Sequence, residues 1–219
     1  MNSGEKLRLG VFDINGTIHA DESGIPGEII AGFDNLHGQG IVTTAITGRS
    51  LETARFLVRD SWDTVISPAV PLSVENGSRL ISQDGENIFH RKMSVDEKTA
   101  VIDGITGSID SINYLAFYTE NPAAGSSLWV SDGNMIGEFS KRHGRFGEAF
   151  SLGDLLSRLL EEEVSMIIIG GDQDAVAETL PEANLVKNGS ELNVMSAGVD
   201  KSTGILDLGG AIIGPDFTS

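Results

Sequence analysis

The reading of the fold turns on VFDINGTI, Val11 to Ile18. The apolar run from Leu7 to Phe12 predicts a strand that ends at Asp13, and a Gly16-Thr17 turn follows. In open α/β sheets ligands bind at the carboxyl ends of strands, so an aspartate there is a candidate for chemistry, although Asp, Asn and Gly also favour turns for their own reasons. Outward from this stretch, β-rich runs alternate with helical periodicity. Pro26 to His37 predicts a helix with Ile29, Ile30 and Phe33 on one face, and Ile41 to Ile46 a second strand. Leu51 to Arg59 predicts a helix and Thr64 to Ile66 a third short strand. Strands and helices in this order predict an α/β fold whose core is a three-layer, doubly wound, Rossmann-like parallel sheet.

The middle of the chain has a different texture. Strands are expected at Arg79 to Ile81, Tyr114 to Tyr118, Ser127 to Val130 and Met166 to Ile169, with helices at Val95 to Ile105, Phe150 to Leu160 and Asp174 to Leu180. Elements grouped in this way predict an inserted α+β cap domain at residues 83–190. The core is then expected from residues 1–82 and 191–219, resuming with Leu192 to Met195 and a helix from Lys201.

Three segments can carry chemistry. An aspartate at a strand end can attack phosphorus and form an aspartyl-phosphate, or bind a hard cation such as Mg²⁺ through oxygen. In AITGRS, Ala45 to Ser50, a hydroxyl and backbone N–H groups stand at a helix start and could cradle a phosphate. The plainer reading is that Thr47 or Ser50 caps that helix, with Glu52 in its first turn. In GVDKSTG, Gly198 to Gly204, Lys201 opens the last helix, where the dipole disfavours a cation, so it invites a second explanation.

In this order and spacing the segments resemble the haloacid dehalogenase superfamily, and more narrowly its capped Cof-like sugar phosphatases and archaeal phosphoglycolate phosphatases. ENGS, Glu75 to Ser78, is similar to the segment that leads into the cap there, and ELNVMSAGVDKSTGI, Glu191 to Ile205, is similar to the return strand and lysine helix. The resemblance implies a Mg²⁺-dependent phosphatase of a small phosphorylated metabolite. Asp13 would attack phosphorus, Thr47 would hydrogen-bond the transferring group and Lys201 would offset its charge. Gly16 and Thr17 would shape the turn, and Gly48, Arg49 and Asn76 would complete the substrate-binding set. Mg²⁺ would be held by the Asp13 carboxylate, the backbone carbonyl of Asn15 and, from a broken form of the family's last motif, Asp216.

Two departures from the family pattern matter. Where these phosphatases usually carry a second aspartate two residues after the nucleophile, this chain has Asn15, and an amide does no acid–base work near neutrality. Only 18 residues follow Lys201, so the core is expected to be short at its C-terminal side, with Ala211 to Ile213 strand-like and an open sheet edge that a second copy of the chain could cover. These departures motivate an alternative: a catalytically silent family member that binds a phosphorylated ligand or a protein partner. IIIGGDQDAV, Ile167 to Val176, imitates the missing motif, but Asp172 or Asp174 is expected to cap the following helix instead. The basic run Lys141 to Arg145 is expected to be a solvated helix end.

Composition narrows the function classes. There are 32 Asp and Glu against 15 Lys and Arg, a formal charge of -17, which predicts no nucleic-acid partner and no membrane surface as partner. No apolar run reaches the roughly 18 residues of a membrane span, and the first ten residues lack a signal-like stretch, so the expected location is cytoplasmic. The absence of cysteine excludes disulfides, thiolate metal sites and a cysteine nucleophile.

Overall fold

A computed structural model describes residues 7–18, 24–119, 126–143, 146–180 and 183–214. The chain divides into two units, one of residues up to Phe89 together with those from Asp200 onward, the other from His90 to Val199. The fold is α/β.

The first unit holds a five-stranded sheet in the order β1 (Arg8–Asp13), β2 (Ile41–Ile46), β3 (Leu72–Val74), β4 (Arg79–Ile81), β5 (Asn87–His90). β1, β2 and β3 are parallel, and β4 turns back antiparallel on β3. Successive residues of β2 face opposite ways, as a strand requires. Ala45 joins the apolar cluster fed by α1 (Gly27–Gly38), α2 (Leu51–Val58) and α3 (Trp62–Val65), which includes Phe33, Leu51, Ala54, Val58 and Val65. Ile46 faces Gly204 of α8 (Lys201–Ile212) on the other side. Helices therefore lie on both faces, the three-layer arrangement that the alternation of elements predicted.

Two elements of this unit differ from expectation. Thr64 to Ile66 is not a strand: residues 62–65 close a helical turn, and the third parallel strand is Leu72–Val74. Val65 and Ile66 are fully buried because they pack into the core, and the segment is tied to β2 without a ladder: Ser67 N–H donates to Thr43 O, and Thr43 Oγ1 donates to Val65 O at 2.8 Å. A three-residue apolar run cannot distinguish the two outcomes. Ala211 to Ile213 is likewise no strand, since α8 runs through Ile212. The capping box of Asp200 and Thr203 starts that helix, and no proline stands before Pro215 to stop it.

The second unit is built on a six-stranded sheet in the order β10 (Asn184–Asn188), β11 (Glu191–Met195), β9 (Val164–Gly171), β6 (Ile112–Thr119), β7 (Ser126–Val130), β8 (Phe146–Ala149). Leu115, Phe117, Ile167, Ile169, Leu192 and Val194 face one way and pack with residues of α4 (Val95–Gly107), α6 (Leu152–Glu161) and α7 (Gln173–Glu178). Tyr114, Ala116, Ile168 and Met195 face the other, against Phe139 of α5 (Met135–His143). The expected boundaries at 83 and 190 shift to His90 and Val199. Leu192 to Met195 does not return to the first sheet, because it forms a five-pair antiparallel ladder with β9.

Candidate active site

Asp13 is the last residue of β1, and its strand partner is Ile46, the last residue of β2. The parallel register places the turns after both strands at one end of the sheet. The turn after Asp13 is made by Asn15 and by Gly16 at φ +75, a conformation that costs glycine little. Ile18 N–H closes it on Ile14 O at 3.2 Å. Asn15 is half-buried, while Gly16 and Thr17 are exposed.

Lys201, 188 residues further on, donates from Nζ to Asp13 Oδ2 at 2.5 Å. Both side chains keep about a third of their surface open, 39% and 32%, so the pair is reachable from solvent. Lys201 owes its place to the residue before it. Asp200 caps α8, accepting from Thr203 N at 2.9 Å. That N–H and its neighbours hold the Asp200 carboxyl below its ordinary pKa.

The turn after β2 is tied to the hairpin between β3 and β4. Thr47 N–H donates to Ser73 O, Asn76 N–H donates to Thr47 O, and Glu75 N–H donates to Arg49 O. Arg49 N–H donates to Thr47 Oγ1 at 3.2 Å. Thr47 and Asn76 are both buried, and a Cβ on Gly48 would stand 2.7 Å from Asn76 Oδ1, which is why glycine occupies that position. Helix α2 is capped by Ser50, which accepts from Thr53 N, so Thr47 is not its cap. The hairpin is stiffened by a fully buried ion pair, Arg79 Nε to Glu75 Oε2 at 3.2 Å. Gly77, at φ +93, lets α8 come close: a Cβ there would lie 2.1 Å from Asp200 O.

Of the expected site residues, Asp13, Asn15, Gly16, Thr17, Thr47, Gly48, Arg49, Asn76 and Lys201 thus belong to one unit, with Asp13 and Lys201 in direct contact. Thr47 and Asn76 are buried, and their main chains stitch the turn after β2 to the hairpin. Asp216 lies outside the described residues. Among the described residues no group of three or more His, Asp or Glu side chains comes together as a metal ligand set. Asp172 caps α7, accepting from Asp174 N and Ala175 N, and Asp174 pairs with Lys187 at 2.5 Å, so the imitation of the last motif is a helix cap.

Sequence reasoning missed three features. The Glu75–Arg79 pair and the approach of Gly77 to Asp200 are invisible in a chain without its partners in space. His143, expected in a solvated helix end, is buried: its Nε2 lies 2.6 Å from Glu191 Oε1, which also accepts from Tyr114. The only signal was the spacing of Phe139 and His143, one helical turn apart, which stack at 4.3 Å.

A family model described as haloacid dehalogenase-like hydrolase matches residues 11–211, and the chain belongs to that family. It is 26% identical over 171 residues to the HMP-PP phosphatase of Cronobacter sakazakii (strain ATCC BAA-894), a match covering 78% of this chain and 57% of that one. The chain therefore spans little more than half the length of this curated relative. Among solved structures it is similar to a subclass IIB sugar phosphatase of the superfamily, with a TM-score of 0.74 at 15% identity over 93% of this chain and 75% of that one. A superfamily phosphatase from Bacteroides thetaiotaomicron gives a TM-score of 0.69 at 17% identity, covering 96% and 74%. Among the described residues no helix is long and apolar enough to cross a membrane.

Proposed function

We propose that this chain is a phosphatase acting on a small phosphorylated metabolite through an aspartyl-phosphate on Asp13. The observation that carries the reading is the contact of Lys201 Nζ with Asp13 Oδ2 at a strand end, within a chain of the haloacid dehalogenase-like hydrolase family. A carboxylate held at one oxygen by an ammonium group is oriented for attack, and the same cation stabilises charge on the phosphoryl oxygens as they pass to Asp13. The N–H groups of the turns after β1 and β2 are the remaining donors, and Thr47 acts through its main chain, which fixes the second turn on the hairpin. The names of the relatives support small phosphorylated metabolites as the substrate class, and the inserted unit is the natural candidate for a substrate-selecting cap.

Mg²⁺ fits this strand end in kind. The Asp13 carboxylate and the Asn15 carbonyl are hard oxygen donors, and Mg²⁺ is commonly bound by one or two carboxylates, substrate phosphate and water. When bound, the ion supplies charge neutralisation for the phosphoryl oxygens. Since no cluster of three or more His, Asp or Glu ligands forms among the described residues, its affinity is expected to rise when phosphate is present. Phosphate release from phosphorylated sugars, phosphoglycolate and p-nitrophenyl phosphate, with and without Mg²⁺, tests the reading. Asp13→Asn should lower release by about 10³-fold or more; equal turnover in wild type and variant would overturn the assignment.

Asn15 favours one alternative, a silent family member that binds a phosphorylated ligand. Saturable binding of phosphate esters with no release by wild type or by Asn15→Asp would establish it.

A further inference from the structure

The turn after the nucleophile, Ile14-Asn15-Gly16-Thr17-Ile18, holds no side chain that titrates. At the same strand end stand Thr47, one residue past the β2 partner of Asp13, then Arg49, and Lys201. Hydroxyl and amide groups do not exchange a proton near neutrality, and guanidinium stays protonated. Lys201 already donates to Asp13. Of the described carboxyls around this strand end, Glu75 is paired with Arg79 and Asp200 caps α8, so beside Asp13 the described side chains are cations that attract phosphate and carboxyls already committed elsewhere.

Resting on the phosphatase reading, we infer that this chain transfers phosphoryl groups from leaving groups that depart as stable anions. Acyl phosphates, phosphoanhydrides and activated aryl phosphates belong to that class; simple alkyl phosphomonoesters do not. We infer further that phosphorylated Asp13 accumulates. In the first step an Asp13 carboxylate oxygen attacks phosphorus, the bond from phosphorus to the leaving oxygen breaks, and its electron pair departs on that oxygen. A carboxylate, whose acid has a pKa of about 4, or a phosphate, about 6, carries the pair without a proton. A phenoxide, near 10, does so poorly, and an alkoxide, far more basic still, needs a proton as it leaves.

In the second step a water oxygen attacks phosphorus and the bond to Asp13 breaks, returning its electron pair to the carboxylate. The surplus proton of the water passes to solvent or stays on the phosphate. Among the described residues no base is placed to speed this step, and its rate does not depend on which group left earlier. The missing base is worth about 10²–10⁴ in rate. All good substrates should therefore share one slow phase.

Rapid mixing of wild type, Asn15→Asp and Asp13→Asn with acetyl phosphate, p-nitrophenyl phosphate, phenyl phosphate and glycerol 3-phosphate, each with Mg²⁺, tests this. For wild type we expect a burst of about one leaving group per chain from the first two, then a common slow rate. Glycerol 3-phosphate should react about 10³-fold more slowly than acetyl phosphate. Asn15→Asp should raise glycerol 3-phosphate cleavage by about 10²–10⁴ and remove the burst, while Asp13→Asn should show no burst. Cleavage of glycerol 3-phosphate by wild type within about tenfold of p-nitrophenyl phosphate, dependent on Asp13, would overturn the inference and leave the phosphatase reading standing. Burst-free turnover of acetyl phosphate would overturn the accumulation. Failure of all four substrates with both wild type and Asn15→Asp would overturn the phosphatase reading itself.

Discussion

The two units solve the problem of holding a sheet together in opposite ways. In the inserted unit, β6 and β9 share seven registered pairs, and apolar clusters pack both faces. In the first unit, β2 and β3 share one registered pair, Ile46 with Ser73. At that junction, beside the unit's own apolar cluster, buried polar groups make the connection: Thr43, Thr47, Ser73, Glu75, Asn76 and Arg79 are each at most 3% exposed. Apolar burial is non-directional and tolerates repacking, whereas a polar network holds only while each partner is in place. The unit that carries Asp13 and Lys201 is therefore the one whose geometry depends on single residues.

The sharpest way to break this contrast is Gly77→Ala. A Cβ would overlap the Asp200 carbonyl at a φ of +93, and α8 would have to move. We expect a loss of about 3–5 kcal/mol in the first unit. The chain has two tryptophans, Trp62 in the first unit and Trp129 in the second, so single-tryptophan variants report each unit separately in urea titrations. The Trp62 transition should shift and the Trp129 transition should stay; equal shifts would mean that the units unfold as one.

A smaller effect sharpens the same comparison. Asp200→Ala and Asp172→Ala each remove an N-cap, the first from α8 and the second from α7. Each should cost about 1 kcal/mol by the same titrations. Only Asp200→Ala should also slow phosphoryl transfer, because Lys201 is the next residue. Equal activity losses would show that the cap of α8 does not place Lys201.

The smallest effect is on pH. Burial works to raise the pKa of Glu97 in the second unit, but the N–H groups of Ala197 and Ser94 with the Ser94 and Ser196 hydroxyls outweigh it, and the carboxyl lies below its ordinary value. Asp200 in the first unit lies low for the same kind of reason, led by the Thr203 N–H. A carboxyl lowered in the folded state gives stability that is full above its unfolded pKa, about 4, and lost as pH falls below it. Both transitions should weaken in that direction. Glu97→Gln should flatten the acid dependence of the Trp129 signal and leave that of Trp62 unchanged.

The same contrast explains what could be read in advance. The core strands at Leu7 to Phe12 and Ile41 to Ile46, most helices and the motif residues were legible because apolar period and turn chemistry are local. Asp172 as a cap was legible for the same reason. The strand at Leu72–Val74 was missed because three residues carry no period, and Thr64 to Ile66 offered an equally good apolar run. The boundary near residue 190 was misplaced because β11 is apolar enough for either sheet, and its ladder with β9 is a contact between distant segments. At the site, Asp13 and Lys201 were singled out from type and position, and their contact across 188 residues was not legible in either segment. The burial of Thr47 and Asn76 was not legible, since it arises from the hairpin that folds over them.

The contact between Lys201 and Asp13 also sets an order of events. The ammonium group is made 188 residues after the carboxylate it holds. At about 5–20 residues per second, a ribosome needs roughly 10–40 s to cover that distance. During that time β1 and β2 can pair, but the hairpin at Gly77 has no α8 to close on. The Asp13 carboxylate is thus made before its cationic partner exists, and their contact can form only as α8 emerges.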